Sequence, residues 1–98
     1  MKISITTVRF KSDSKLDDFV QEKVEKLSGF YDGIIASEVT LKLDNNDKQE
    51  NKVAEIKLNI RGNDLFAKKQ SKTFEEAVDL SVEAIRKQLT RYKEKIRL

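Results

Sequence analysis

Two stretches of strict polar–apolar alternation constrain this chain more than any other feature. In the first, Val39, Leu41 and Leu43 point one way while Glu38, Thr40 and Lys42 point the other. In the second, Ala54, Ile56, Leu58 and Ile60 oppose Val53, Glu55, Lys57, Asn59 and Arg61. A period of two sends successive side chains to opposite faces, so both runs specify strands with one apolar and one polar face. A sheet of such strands is covered on one side only. Between them, Asp44-Asn45-Asn46-Asp47-Lys48-Gln49-Glu50 is too polar for a core and reads as a hairpin loop. Gly62-Asn63 reads as a second turn, leading into a short strand around Leu65 and Ala67. Residues 2–8 alternate as well, with Ile3 and Ile5 opposite Lys2, Ser4 and Thr6, and give a first strand.

Two segments switch to the helical period. Asp13 offers an N-cap carboxylate ahead of the single stripe Leu16, Phe19, Val20, Val24 and Leu27, and Gly29 is expected to end that helix in the left-handed conformation. Thr73-Phe74-Glu75-Glu76 has the form of a capping box. It opens a second helix whose stripe, Phe74, Val78, Val82, Ile85, Leu89, Tyr92 and Ile96, reaches nearly to Leu98. The expected fold is α+β in the order β-α-β-β-β-α. It comprises a four-stranded mixed sheet, two helices packed on one face, and a right-handed crossover that makes the first strand parallel to the second. A length of 98 residues without a Gly-, Pro- or Ser-rich linker implies one domain, residues 1–98.

Composition narrows the chemistry. Cys is absent, which excludes disulfides and thiolate metal sites, and His is absent, which removes the commonest general base and metal ligand. The three glycines, Gly29, Gly33 and Gly62, are too scattered for a phosphate-cradling loop. The opening residues lack the apolar run of a signal peptide, no stretch approaches transmembrane length, and a cytoplasmic protein is expected.

Charge is informative through its placement, since 20 Lys+Arg against 17 Asp+Glu leave only +3. The second helix begins with Glu75, Glu76, Asp79 and Glu83. From residue 84 onward it carries Arg86, Lys87, Arg91, Lys93, Lys95 and Arg97 against Glu94 alone. The helix macrodipole favours bases near a C-terminus by about 0.3–1 kcal/mol each, but only within the last turn. It accounts for some of these six and not for all. On a helical wheel Arg86, Lys93 and Arg97 line one flank, Lys87 and Arg91 the outer surface, and Lys95 the border of the other flank. Lys68-Lys69-Gln70-Ser71-Lys72 leads into this helix, and Lys15, Lys23 and Lys26 lie on the first one. If the helices are neighbours, the bases join into one surface suited to RNA phosphates.

Other classes stay open on residues alone. Glu55-Ile56-Lys57 with Asp44 or Asp47 upstream imitates the Asp…Glu-x-Lys layout of metal-dependent nucleases, yet any solvated strand face contains such alternation. A general double-stranded RNA binder is a second alternative. Against its usual mode, Glu75 and Glu76 stand where a lysine cluster would open the last helix. A protein-interaction module with an acidic partner is a third.

Three segments together resemble the ribosome hibernation promoting factors, relatives of the ribosome-associated translation inhibitors. They are Phe19-Val20-Gln21-Glu22-Lys23-Val24-Glu25-Lys26-Leu27 with Phe30-Tyr31-Asp32 and Ile34; Leu65-Phe66-Ala67; and Phe74-Glu75-Glu76-Ala77-Val78-Asp79, continued by Arg86-Lys87-Gln88-Leu89-Thr90-Arg91-Tyr92-Lys93-Glu94-Lys95. The resemblance spans the chain and implies the β-α-β-β-β-α fold. It further implies no enzymatic activity, no cofactor, no metal and no small-molecule substrate. It implies binding to the small ribosomal subunit in the mRNA/tRNA channel, against rRNA of the decoding region, and inhibition of translation in stationary phase or starvation. By position, the rRNA contacts it implies are Lys23, Lys26, Arg86, Lys87, Arg91, Lys93 and Lys95. Because the sequence ends at Leu98, the short form of the family is expected, and the need for a further factor to dimerise ribosomes is left open. Tyr92 departs from the His often found there.

Overall fold

The computed structural model describes residues 1–44 and 50–96. Most of the expected hairpin loop, including Asp47, lies outside the described residues, as do Arg97 and the Ile96 side chain. The elements are β1 (Lys2–Val8), α1 (Ser14–Phe30), β2 (Ile34–Leu43), β3 (Lys52–Ile60), β4 (Asn63–Ser71) and α2 (Phe74–Ile96). The sheet order is β1-β2-β3-β4, with β1 parallel to β2 and the other two pairs antiparallel. The expected α+β fold, its mixed sheet and its two helices on one face are all present.

The core forms where the apolar faces of sheet and helices meet. Val39, Leu41, Ala54, Ile56 and Leu58 from the sheet are fully enclosed by Val20, Val24 and Leu27 of α1 and by Val78, Ile85 and Leu89 of α2. Each such aliphatic side chain contributes about 1.5–3 kcal/mol of burial. Two small residues absent from the expected stripe, Ala77 and Ser81, are also fully buried. The Ser81 hydroxyl donates to the Ala54 carbonyl at 3.0 Å, so α2 lies close against β3 and loses no buried polar group in doing so.

Caps formed where the sequence placed them. Asp13 accepts from the Leu16 amide at 2.8 Å, and the Thr73 hydroxyl accepts from the Glu76 amide at 3.1 Å. The end of α1 differs from expectation. The helix passes through Gly29 to Phe30, and its cap, Tyr31, is extended (φ −150°) with its N–H bonded to the Leu27 carbonyl. Continuing one residue brings Phe30 onto the core and against α2, a burial that outweighs the helical cost of glycine, about 1 kcal/mol. The left-handed glycine is instead Gly62 (φ +83°), in the turn between β3 and β4.

β4 is also longer than expected. Lys68, Lys69, Gln70 and Ser71, read as a lead into the second helix, continue the strand, pairing as far as Lys52 with Ser71. The hydrogen-bonding edge of β3 recruits these polar residues despite their weak strand propensity. At the other end of β2, Ile34 pairs with Ile60 but Ala36 with Asn59. The extra residue in this bulge keeps Ile34 inward and turns Ile35 out, 61% exposed.

Ser37 is buried on the inner face of β2, and among the described residues its hydroxyl has no hydrogen-bond partner. Ser37→Ala is therefore expected to leave stability unchanged or raise it by up to about 1 kcal/mol, whereas Ser81→Ala should lower it by about 1 kcal/mol. Urea denaturation midpoints of the two variants at equal m-value test the contrast.

Candidate nucleic-acid interface

α1 and α2 are direct neighbours, and the bases on them fall into two strips. The first follows the seam between the helices, an open groove of about 610 Å³ lined by Lys23, Lys26, Leu27, Gly29, Phe30, Asp79, Val82, Glu83 and Arg86. Phe30 organises its basic end. The Lys93 ammonium lies 4.6 Å from the Phe30 ring centre and the Arg86 guanidinium 5.9 Å, both as cations against the ring. Lys93 also donates to the Phe30 carbonyl at 3.1 Å. Since α1 has no base in its own last turn, Lys93 of α2 supplies the positive charge its C-terminus favours.

Acids are interleaved along this seam. Lys23 pairs with Asp79 at 3.4 Å and lies 5.4 Å from the Phe19 ring centre; Arg86 pairs with Glu83 at 3.2 Å. Both pairs are substantially solvated and are worth at most about 1 kcal/mol, so an incoming phosphate can compete for either base. Lys26 is exposed and, among the described residues, makes no ion pair.

The second strip runs along the solvent side of α2. Lys87, Arg91 and Lys95 are exposed at spacings of four, and among the described residues none has an acidic partner. Helical periodicity stacks such residues along one flank, here a convex row of uncompensated charge. The seven residues named from the sequence therefore share the helical side of the molecule without being equivalent. Among the described residues Lys87, Arg91, Lys95 and Lys26 make no ion pair, Lys23 and Arg86 are paired, and Lys93 is half-buried and committed to the α1 terminus.

Of the lysines before α2, Lys68 does not join this surface as expected. Alternation along β4 sends Lys68 and Gln70 to the opposite, uncovered face of the sheet. That face also carries Glu55, paired with Lys42 at 2.7 Å, and Lys57, lying 4.0 Å from Glu38 and 3.9 Å from Asp64. The Glu55 and Lys57 of the nuclease-like pattern thus belong to cross-strand ion pairs. Among the described residues there is no group of three or more acidic side chains arranged to hold a metal. No described helix is long and apolar enough to cross a membrane.

A four-stranded sheet covered on one side by two helices, with cations gathered on the helical layer, defines a small α+β domain of the kind that offers a charged surface to a large partner. Residues 3–97 match the sigma 54 modulation protein / S30EA ribosomal protein family, and the chain belongs to that family, whose ribosome-associated members are not enzymes. It is 26% identical over 97 residues to a ribosome hibernation promoting factor of Klebsiella oxytoca, covering 99% of this chain and 98% of that one. Its fold is shared with the N-terminal domain of Protein Y from Thermus thermophilus (TM-score 0.80, 22% identity, 94% and 99% of the two chains). It is shared equally with a ribosomal subunit interface protein from Coxiella burnetii (TM-score 0.84, 20% identity, 96% and 99%).

The division of labour among the bases is testable in the free protein. Lys93→Met should cost about 1 kcal/mol by removing the cap on α1 and the contact with Phe30. Lys87→Gln and Lys95→Gln should each stay within about 0.5 kcal/mol of the parent in the same denaturation experiment.

Proposed function

We propose that residues 1–98 act as a single cytoplasmic ribosome-binding domain that docks its helical side on the small ribosomal subunit, in the mRNA/tRNA channel, and blocks translation by occlusion. The observation that carries this reading is the uncompensated row Lys87, Arg91 and Lys95 beside the Phe30-centred seam. The Klebsiella oxytoca relative, matched along nearly its whole length, is a ribosome hibernation promoting factor, and family membership makes the ribosome the partner of first choice.

Phosphates of rRNA are the expected targets. Lys87, Arg91, Lys95 and Lys26 meet them directly, while Arg86 and Lys23 exchange a carboxylate for a phosphate on docking. Lys93 contributes mainly by holding α1 and α2 in register at the Phe30 end. Occlusion requires no bond chemistry: a rigid domain in the decoding region leaves no space for mRNA and tRNA. The setting in which this matters is stationary phase or starvation, when idle ribosomes are held inactive.

Co-sedimentation with purified small ribosomal subunits tests the reading. If about five phosphates are contacted, tripling the salt concentration should weaken binding roughly a hundredfold. Lys87→Glu with Arg91→Glu should abolish co-sedimentation and leave the thermal midpoint nearly unchanged, because neither side chain has an acidic partner among the described residues. Excess duplex RNA should not displace the parent protein. Displacement by arbitrary duplex would mark a general double-stranded RNA binder instead, and undiminished binding of the double variant would remove α2 as the contact surface.

A further inference from the structure

The uncovered face of the sheet is not evenly charged. Toward the β2 bulge its acids are satisfied: Glu38 and Asp64 flank Lys57, and Asn59 donates to Asp64 at 3.0 Å. Toward the other end the balance reverses. There a concave pocket of about 330 Å³ is floored by Val53, and Arg9, Lys42, Asp44, Lys68 and Gln70 line it. Glu55, directly across from Lys68 in the ladder, turns its carboxylate to Lys42. Among the described residues, Arg9 and Lys68 make no ion pair and remain available.

Two further features bear on this pocket. Arg9 occupies positive φ (+69°), a conformation that favours glycine, yet it presents a long cationic side chain at the rim. Phe66 sits one pleat from Lys68 on the same face, 52% exposed, opposite Lys57. A lone exposed phenylalanine is ordinary. The strand that presents this one is tied down, because Gln88 of α2 donates to the Phe66 carbonyl at 2.8 Å and so covers the edge of β4. Residues two apart on a strand are separated by roughly 7 Å, comparable to the distance between successive phosphates of an extended strand.

We infer that this face is a second RNA site, for a single-stranded segment: a base stacks on Phe66 while Arg9 and Lys68 hold adjacent phosphates at the Val53 pocket. An open sheet with an aromatic ring beside cations suits unpaired nucleotides, whose faces are accessible, and not duplex, whose bases are hidden. The inference takes only the identity of the nucleic acid from the proposed function. It concerns the side of the molecule opposite the helices.

The test uses a fluorescein-labelled oligouridylate of about ten nucleotides, within the usual single-strand site size. Anisotropy is measured on the full chain carrying Lys87→Glu and Arg91→Glu, which removes the helical contribution. In that background Phe66→Ala and Phe66→Leu should each weaken binding about tenfold, and Phe66→Tyr should restore it. Arg9→Gln with Lys68→Gln should flatten the logarithmic salt dependence by about 1.4. Absence of oligonucleotide binding in that background overturns the inference, and so does a Phe66→Leu variant as strong as the parent, which would mark an apolar protein-docking face. Failure of the helical reading shows separately, in co-sedimentation with ribosomal subunits.

Discussion

The close approach of α2 to β3 and β4 is the contact on which the rest of the molecule depends. Ala77 and Ser81 are small enough to bring the helix axis down onto the sheet, and the Ser81–Ala54 hydrogen bond keeps that approach free of an unsatisfied carbonyl or hydroxyl. Once α2 is seated, Ile85 and Leu89 complete the core and Gln88 closes the β4 edge. Tyr92 reaches the turn at Arg61, donating to its carbonyl at 3.1 Å, and meets Tyr31 edge-on at 6.0 Å. At the opposite end Phe74 stacks on Phe10, ring centres 4.3 Å apart, which anchors the chain leaving β1. Both ends of α2 are thereby pinned, and its charged sides have one orientation relative to α1.

That orientation sorts the bases into classes that a helical wheel cannot supply. Lys93 and Lys95 are two residues apart and chemically identical, yet one caps α1 and lies on Phe30 while the other is exposed. The distinction arises wholly from α1 lying along one flank of α2. The same neighbour places Asp79 and Glu83 among the seam bases. Those acids hold Lys23 and Arg86 in place before any ligand arrives, at the cost of part of their charge.

Much of this architecture could be read from residue pattern, because the information was local. Alternation located β1, β2 and β3, the 3.6-residue stripes located both helices, and Asp13 and Thr73 marked the starts of α1 and α2. The misses have a common cause in contacts between segments distant in sequence. Gly29 stays helical because Phe30 is wanted by α2. Lys68 to Ser71 form strand because the edge of β3 needs partners, and Ile35 turns outward because of a bulge that no local pattern announces. For the candidate interface, clustering made a wider set of bases legible, and the family resemblance narrowed it to the seven candidates. The Arg86–Glu83 pair is local, three residues apart on α2, but the rest of their division was not legible, because it depends on the two helices meeting, which brings Lys23 to Asp79 and Lys93 to the Phe30 carbonyl. Arg9 and Lys68 were missed as a pair, although the period of two through Lys68 and Gln70 already pointed to the uncovered face.

A net charge of only +3 is no guide to affinity for a polyanion, because net charge is the wrong quantity at this scale. At physiological ionic strength the screening length is about 8 Å, so a phosphate senses the side chains of one strip and little else. Seventeen acidic residues interleaved with twenty bases then favour discrimination, since any face where acids dominate is unfavourable to a phosphate backbone. A uniformly basic domain of the same size would bind any phosphate backbone. On the proposed reading, this one needs a partner whose phosphates match the row on α2 and the end of the seam together, a match that folded rRNA offers more readily than a featureless duplex. On that reading, sparing use of positive charge suits these 98 residues to one matching surface of a large ribonucleoprotein and not to any phosphate backbone.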